Sequence, residues 1–182
     1  MAGTKTMTAD ELWELEDDGW RHELIRGELV SMPPTGEEHA SLMVVLSIEL
    51  GGFIRRNGLG RAVSGDPGIF VSRDPDVVLA PDFAFTRRER LASEQPLPGF
   101  VTIVPDLVVE ILSPSERAGH INAKIQEYIA AGVQLLWLVD PPHRSITVYS
   151  ADEPPRFLAE SDVIDGGDVL PGFEIRVGEL FG

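Results

Sequence analysis

"PDLVVEILSPS", residues 105–115, reads as a β-strand meant for a core, yet it carries a carboxylate, Glu110, at its centre. An unpaired ionised carboxylate in apolar surroundings costs roughly several kcal/mol unless a cation or metal balances it. Period-two alternation puts Asp106, Val108 and Glu110 on one face, and Leu107, Val109 and Ile111 on the other. Because its face neighbour Val108 is apolar, Glu110 is not simply the outward residue of an amphipathic strand. A preceding stretch, "VLAPDFAF", repeats the logic: Asp82 interrupts an apolar strand directly after Pro81. Ala80 and Ala84 share its face and leave room beside the carboxylate.

Downstream, Ser113-Pro114-Ser115 offers capping chemistry for a helix through "ERAGHINAKIQEYIAA" that stops at Gly132. "VQLLWLVD" follows, a nearly continuous apolar strand of the kind buried on both faces. Such a strand–helix–strand crossover is right-handed and leaves its two strands parallel or nearly adjacent. Within the helix, Ile121, Lys124, Ile125 and Tyr128 fall at i, i+3, i+4 and i+7, one stripe facing the sheet.

Upstream, "TADE" at 8–11 is a capping box opening a short helix that is expected to end near Asp18-Gly19. "HELIRGELVSMPP" reads as a hairpin around Arg26-Gly27. Residues 37–57 carry Leu42, Val45, Leu46, Glu49, Leu50 and Phe53 at helical spacing, despite Gly51-Gly52, with Gly58 as the stop. Three strands are then expected: "RAVSGDPGIFVS", bent at Gly65–Gly68, "DVVLAPDFAFT", and "FVTIVPDLVVEILS". "SITVYS", "RFLAES" and "DVLPGFEIRVGELF" read as C-terminal strands and turns. The expected class is α/β (α+β), one domain over 1–182: an N-terminal helix and hairpin over 8–36, a core over 37–140 and C-terminal strands over 141–182.

The composition excludes several functions. There are no cysteines, hence no disulfide, thiolate metal site or Cys nucleophile. No apolar run approaches a membrane span, so no membrane partner is expected. The N-terminus has no basic region followed by an apolar one, so a cytoplasmic address is expected by default. The net charge of −15 denies the chain the overall basic footprint of a nucleic-acid binder. Any nucleic-acid role must rest on a local basic patch, on divalent ions, or on transient contact. "TRRER", 86–90, is the densest basic cluster, beside the Asp82 strand; it is either such a patch or ordinary solvated charge.

The fifteen basic residues comprise thirteen Arg and two Lys, and of the lysines only Lys124 is interior. Either codon bias toward Arg explains this, or the position needs a compact ammonium in place of a fork. Asp82, Glu110 and Lys124 together suit phosphoryl chemistry: two acids to hold Mg²⁺ or Mn²⁺, and a cation near the attacking water. Against this stand the plain alternatives of a structural ion pair for Glu110, a backbone-capping turn for Asp82, and a snorkelling stem for Lys124.

The order helix, three strands, helix, strand, with Asp82, Glu110 and a Lys, resembles the PD-(D/E)XK restriction-endonuclease-like superfamily. "HELIRGELVSMPPTGEEHA", "APDFAF", "PDLVVEILSPS", "KIQEYIAAGVQLLWLVDP" and "LPGFEIRVGELF" are similar to the Uma-two family of endonucleases within it, over residues 8–182. One departure is plain: two residues after Glu110 stands Leu112, not Lys. A subset of the superfamily moves that Lys onto the following helix, where Lys124 stands. The resemblance implies a metal-dependent DNA endonuclease with Asp82, Glu110 and the Ile111 carbonyl on the metal, and Lys124 positioning water. It also places a recurrent His at His39 and an acid at Glu28, each with a plain surface or helix-start reading beside it. Asp106 is read as a turn residue or a further ligand, and Tyr128 as packed under Lys124 with its hydroxyl free to orient a ligand. Paired active sites and the Trp-bearing N-terminal segment point to a homodimer. The rival reading is a nuclease-fold interaction or regulatory module that does not cut.

Overall fold

The computed structural model describes residues 6–93, 95–96, 98–113 and 117–182. The expected cap at Ser113-Pro114-Ser115 lies outside these at Pro114 and Ser115.

The N-terminal helix α1 (Ala9–Trp13) has the expected capping box, with the Thr8 and Glu11 side chains each bonding the other's backbone N–H. It is shorter than the sequence suggests, ending at Glu14 and not at Asp18-Gly19. Strands β1 (Arg21–Ile25) and β2 (Glu28–Met32) form the hairpin. Both turn residues, Arg26 and Gly27, have positive φ, which gives the tight two-residue connection the twist its strands need.

Residues 37–57 are helical throughout but not uniform: α2 (Glu37–Leu46), one π-helical turn (Ser47–Gly51), then α3 (Gly52–Asn57). The buried residues Leu42, Leu46, Leu50 and Ile54 recur every four positions. That spacing drifts around a helix of about 3.6 residues per turn. The wider π turn corrects the drift and keeps all four on the core. Gly58, left-handed at φ 60°, ends the helix as expected.

Two of the three expected strands break in half. The first becomes β3 (Gly60–Ser64) and β4 (Ile69–Ser72); the second becomes β5 (Val77–Leu79) and β6 (Phe83–Arg87). The breaks fall at Gly65-Asp66-Pro67-Gly68 and at Ala80-Pro81-Asp82, where turn residues redirect the chain. The third is a strand only at β7 (Leu107–Ile111), while Val101 makes a single parallel bridge to Ile69. Helix α4 (Ala118–Ala130), β8 (Leu135–Asp140), β9 (Ser145–Ser150), β10 (Arg156–Leu158), β11 (Val163–Asp165) and β12 (Glu174–Arg176) complete the chain.

The main sheet runs β10-β9-β8-β7-β6-β3, and the meander β3-β6-β7 is antiparallel. The crossover through α4 makes β7 and β8 parallel neighbours, as its composition requires. A second sheet, β2-β1-β5-β4, takes the diverted halves, and β11 pairs with β12. This is the expected mixed α and β class, with a helix, a three-stranded meander, a helix and a strand at its core, an N-terminal helix and hairpin, and extra C-terminal strands.

Alternation along β7 sorts its residues into two cores. Leu107, Val109 and Ile111 pack with Leu46, Leu50 and Ile54 of the first helical segment and with the C-terminal Leu170 and Val177. Val108 packs on the other side with Ile121, Ile125 and Tyr128 of α4, and with Ile69, Val77 and Leu79 of the second sheet. Glu110 shares Val108's side, so the helix and the second sheet together close over it. Among the described residues no helix is long and apolar enough to cross a membrane.

Candidate active site

Strands β6 and β7 pair Phe83 with Val109 and Ala84 with Val108. Continued by one step, this register sets Asp82 opposite Glu110 on the face α4 covers. Glu110 is buried, at 4 % exposure, and so is Asp82, at 1 %.

Helix α4 delivers the cation. Lys124 Nζ lies 2.8 Å from Glu110 Oε2 and 2.9 Å from Glu23 Oε1, a carboxylate on β1. One turn on, the Tyr128 hydroxyl donates to Glu110 Oε1 at 2.8 Å. Glu23 Oε1 also accepts the Ala80 N–H at 2.8 Å, which ties the second sheet to the chain bend just before Asp82. Asp82 Oδ2 accepts the Ile111 N–H at 2.6 Å, so the two acids are linked through the backbone that follows Glu110.

The other oxygen of Asp82 is different. His39 Nε2, from the first turn of α2, lies 3.2 Å from Oδ1, and Arg21 Nη1 lies 3.6 Å away. Both are close enough for charge attraction, but neither is aligned as a hydrogen bond, and Oδ1 has no donor among the described residues. Arg21 directs its stronger contact to Asp66, at 2.7 Å. Its Nε and His39 Nδ1 are likewise buried without a partner among the described residues. One orphaned polar atom on Asp82 and one on each of the two side chains beside it are costly. Such groups in a native structure call for water, an ion or a ligand.

Burial shapes the protonation. It pushes Glu110 upward; Lys124 pulls it back, Asp82 and Glu23 add to the rise, and Glu110 stands at about 8. Burial, with the charges of Glu110 and Glu23, also holds the Tyr128 hydroxyl well above its ordinary range. For His39, burial favours the neutral ring, but the adjacent Asp82 carboxylate outweighs it and raises the group. For Arg21, burial likewise opposes the charge and Asp66 outweighs it, so Arg21 is raised.

Asp82, Glu110, Lys124, Tyr128 and His39 therefore converge, and Ile111 enters through its backbone N–H. The Tyr128 hydroxyl is not free to orient a ligand: Glu110 holds it. Asp106 lies at the other end of β7 as a clasp, accepting from Arg87 N, Arg90 Nη1 and Gln134 Nε2. Glu28 is exposed on β2 and makes none of the cluster's described contacts. The acid that the hairpin does supply is Glu23, at 1 % exposure. Sequence reading passed over it, and over Arg21 and Asp66. Its signal was present: in "RHELI", Glu23 shares a strand face with the apolar Ile25, the pattern that flagged Glu110.

Among the described residues no three His, Asp or Glu side chains form a ready-made cation cage. The donor chemistry nonetheless fits a hard divalent ion. Mg²⁺ is usually bound by one or two carboxylates, with water and phosphate completing its shell. Asp82 Oδ1 is a buried oxygen with an unused lone pair beside a second carboxylate.

Comparison with known proteins follows the same line. The family model Uma2, described as "Putative restriction endonuclease", matches residues 9–178. No curated protein matches the chain. A solved structure from Anabaena variabilis ATCC 29413, titled a "putative nuclease belonging to DUF820", superposes with a TM-score of 0.84 at 20 % identity. The match covers 96 % of this chain and 97 % of that one, and at this identity it speaks for the fold.

Proposed function

The chain belongs to the Uma2 family, and from that premise we propose that it is a divalent-metal-dependent phosphodiesterase, a DNA endonuclease. The observation that carries this reading is the Asp82–Glu110 pair opposed across β6 and β7, with Lys124 Nζ 2.8 Å from Glu110. Asp82 Oδ1, Glu110 and the carbonyl of Ile111 would hold Mg²⁺ or Mn²⁺. The ion would supply Lewis-acid polarisation of a phosphoryl oxygen.

The remaining roles belong to the chain itself. Lys124 carries the positive charge to where negative charge develops on phosphorus and orients the attacking water. Glu23, pinned by Ala80 N–H, keeps the ammonium in place while Glu110 turns to other work. Tyr128 fixes the Glu110 carboxyl plane through Oε1. Arg21 Nε, and His39 Nδ1 when its ring is protonated, are buried donors without partners among the described residues and would serve a phosphate oxygen. Trp13 and Trp20 lie more than half exposed on the N-terminal segment, apolar surface through which two copies would pair their sites into a homodimer.

Incubation of supercoiled plasmid with Mg²⁺ or Mn²⁺ tests the reading. Nicking by the wild type that Glu110→Gln and Lys124→Ala each abolish supports it. Absence of nicking across both metals, or nicking that survives both substitutions, overturns it. One observation favours a second reading, a nuclease-fold interaction or regulatory module that does not cut: both Glu110 oxygens already have donors. That reading expects an intact plasmid with every metal.

A further inference from the structure

A protein carrying −15 must meet a polyanion at a locally basic place. One place meets that need. A cleft of about 1290 Å³ opens between the α2–α3 helical segment and β3. Arg55, Arg61 and Arg88 line it, and none of its described lining residues is Asp or Glu. Of the cluster Arg87-Arg88-Arg90, Arg88 is among the lining residues, while Arg87 bonds the Asp168 carbonyl and Arg90 bonds Asp106.

The cleft also borders the candidate site. Ser64, in its wall, donates to the Asp82 backbone carbonyl at 2.9 Å, and the Ser47 hydroxyl of the π turn donates to Ser64 at 3.3 Å. Gly51 and Gly58 leave bare backbone along the helical wall. The volume exceeds the ~300–1,000 Å³ of typical small-molecule pockets, which suits a polymer segment.

We infer that this cleft seats the phosphate backbone of one nucleic-acid strand, with Arg55 and Arg61 neutralising phosphates at the end away from Asp82. Arg61 pairs with Thr86 there, and Ser64 marks the end that reaches the Asp82 backbone. The inference rests on the phosphodiesterase reading and names the substrate path for it. A single strand held by Arg side chains over a glycine-lined wall binds through charge, without base readout.

The test is fluorescence-anisotropy titration of the full chain in EDTA, so that neither metal nor cleavage contributes. Oligothymidylate and oligouridylate are run as parallel single-stranded arms, with a duplex as competitor. Arg55→Gln combined with Arg61→Gln is compared with wild type; the amide introduced by Arg61→Gln keeps a donor for the Ser93 carbonyl that Arg61 now bonds at 2.7 Å. The variant is expected to bind at least about tenfold more weakly, and the log–log salt slope to shrink by about 1.4, the single-strand value for two lost phosphate contacts. Thermal melts of the two proteins are expected to coincide. Unchanged affinity and slope in both single-stranded arms overturns the inference, as does a duplex that outcompetes the single strand. Arg-dependent binding with an uncut plasmid would overturn the phosphodiesterase reading and keep the cleft. Metal-dependent nicking at unchanged KM in the double variant would keep that reading and remove the cleft.

Discussion

Lys124 and Glu110, 14 residues apart in sequence, meet at 2.8 Å in a place where neither touches bulk water. A buried pair of this kind contributes little net stability, but removing one partner strands the other charge. Lys124→Met is therefore expected to cost about 3–5 kcal/mol, because Glu23, and Glu110 wherever it is ionised, lose their shared cation. Urea denaturation measures it. The double substitution Lys124→Met with Glu110→Gln is expected to cost less than the sum of the singles, the mark of coupled groups.

Tyr128→Phe removes one hydroxyl and leaves no void. It takes away the donor at Glu110 Oε1, so the expected cost is about 1–3 kcal/mol for a buried acceptor left without its partner. A chemical melt at pH 7 checks it. A cost near zero would show that Glu110 finds another donor.

Stability should also depend on pH through Glu110. In the folded, metal-free chain Glu110 keeps its proton to about 8, against an ordinary value of 4.5. Between these values the folded state binds more protons than the unfolded one, so stability falls as pH rises. The part of the stability curve that wild type loses between about pH 5 and pH 8 should be absent from Glu110→Gln, whose side chain does not titrate. Melts in chelator at steps across that range give the difference curve. His39, also raised, contributes in both proteins and cancels in the subtraction.

Glu23 and Glu28 separate structure from resemblance. Glu23→Gln is expected to lower metal-dependent nicking about 10- to 100-fold, as loss of an outer partner of a site typically does. Glu28→Gln, on the exposed strand β2, should leave it unchanged. Equal losses in both would return the hairpin's role to Glu28.

Much of this site could be read before any coordinates, for a physical reason. Glu110, Asp82 and Lys124 each break an apolar pattern of known period, so each announces a charge the core must neutralise. The β7–α4–β8 crossover was legible too, since β8 is nearly continuously apolar and α4 carries one stripe facing the sheet. The diverted halves β4 and β5 were not: local sequence marks a bend at Pro81 or Pro67, but not which sheet receives the chain after it. Glu23 showed a strand-face signal, but not its partner, because it meets Lys124 only through the second sheet docking against α4. The π turn was hidden too, since an every-fourth apolar spacing reads as an ordinary helix until the drift is followed to Ile54.

The central claim is that Asp82 and Glu110 share one divalent ion. A crystal soaked in Mn²⁺ and measured at the manganese absorption edge tests it most directly. The expected result is one anomalous peak in contact with both carboxylates, gone in Asp82→Asn. A soaked crystal with no peak there, and with Lys124 still closed on Glu110, would contradict it.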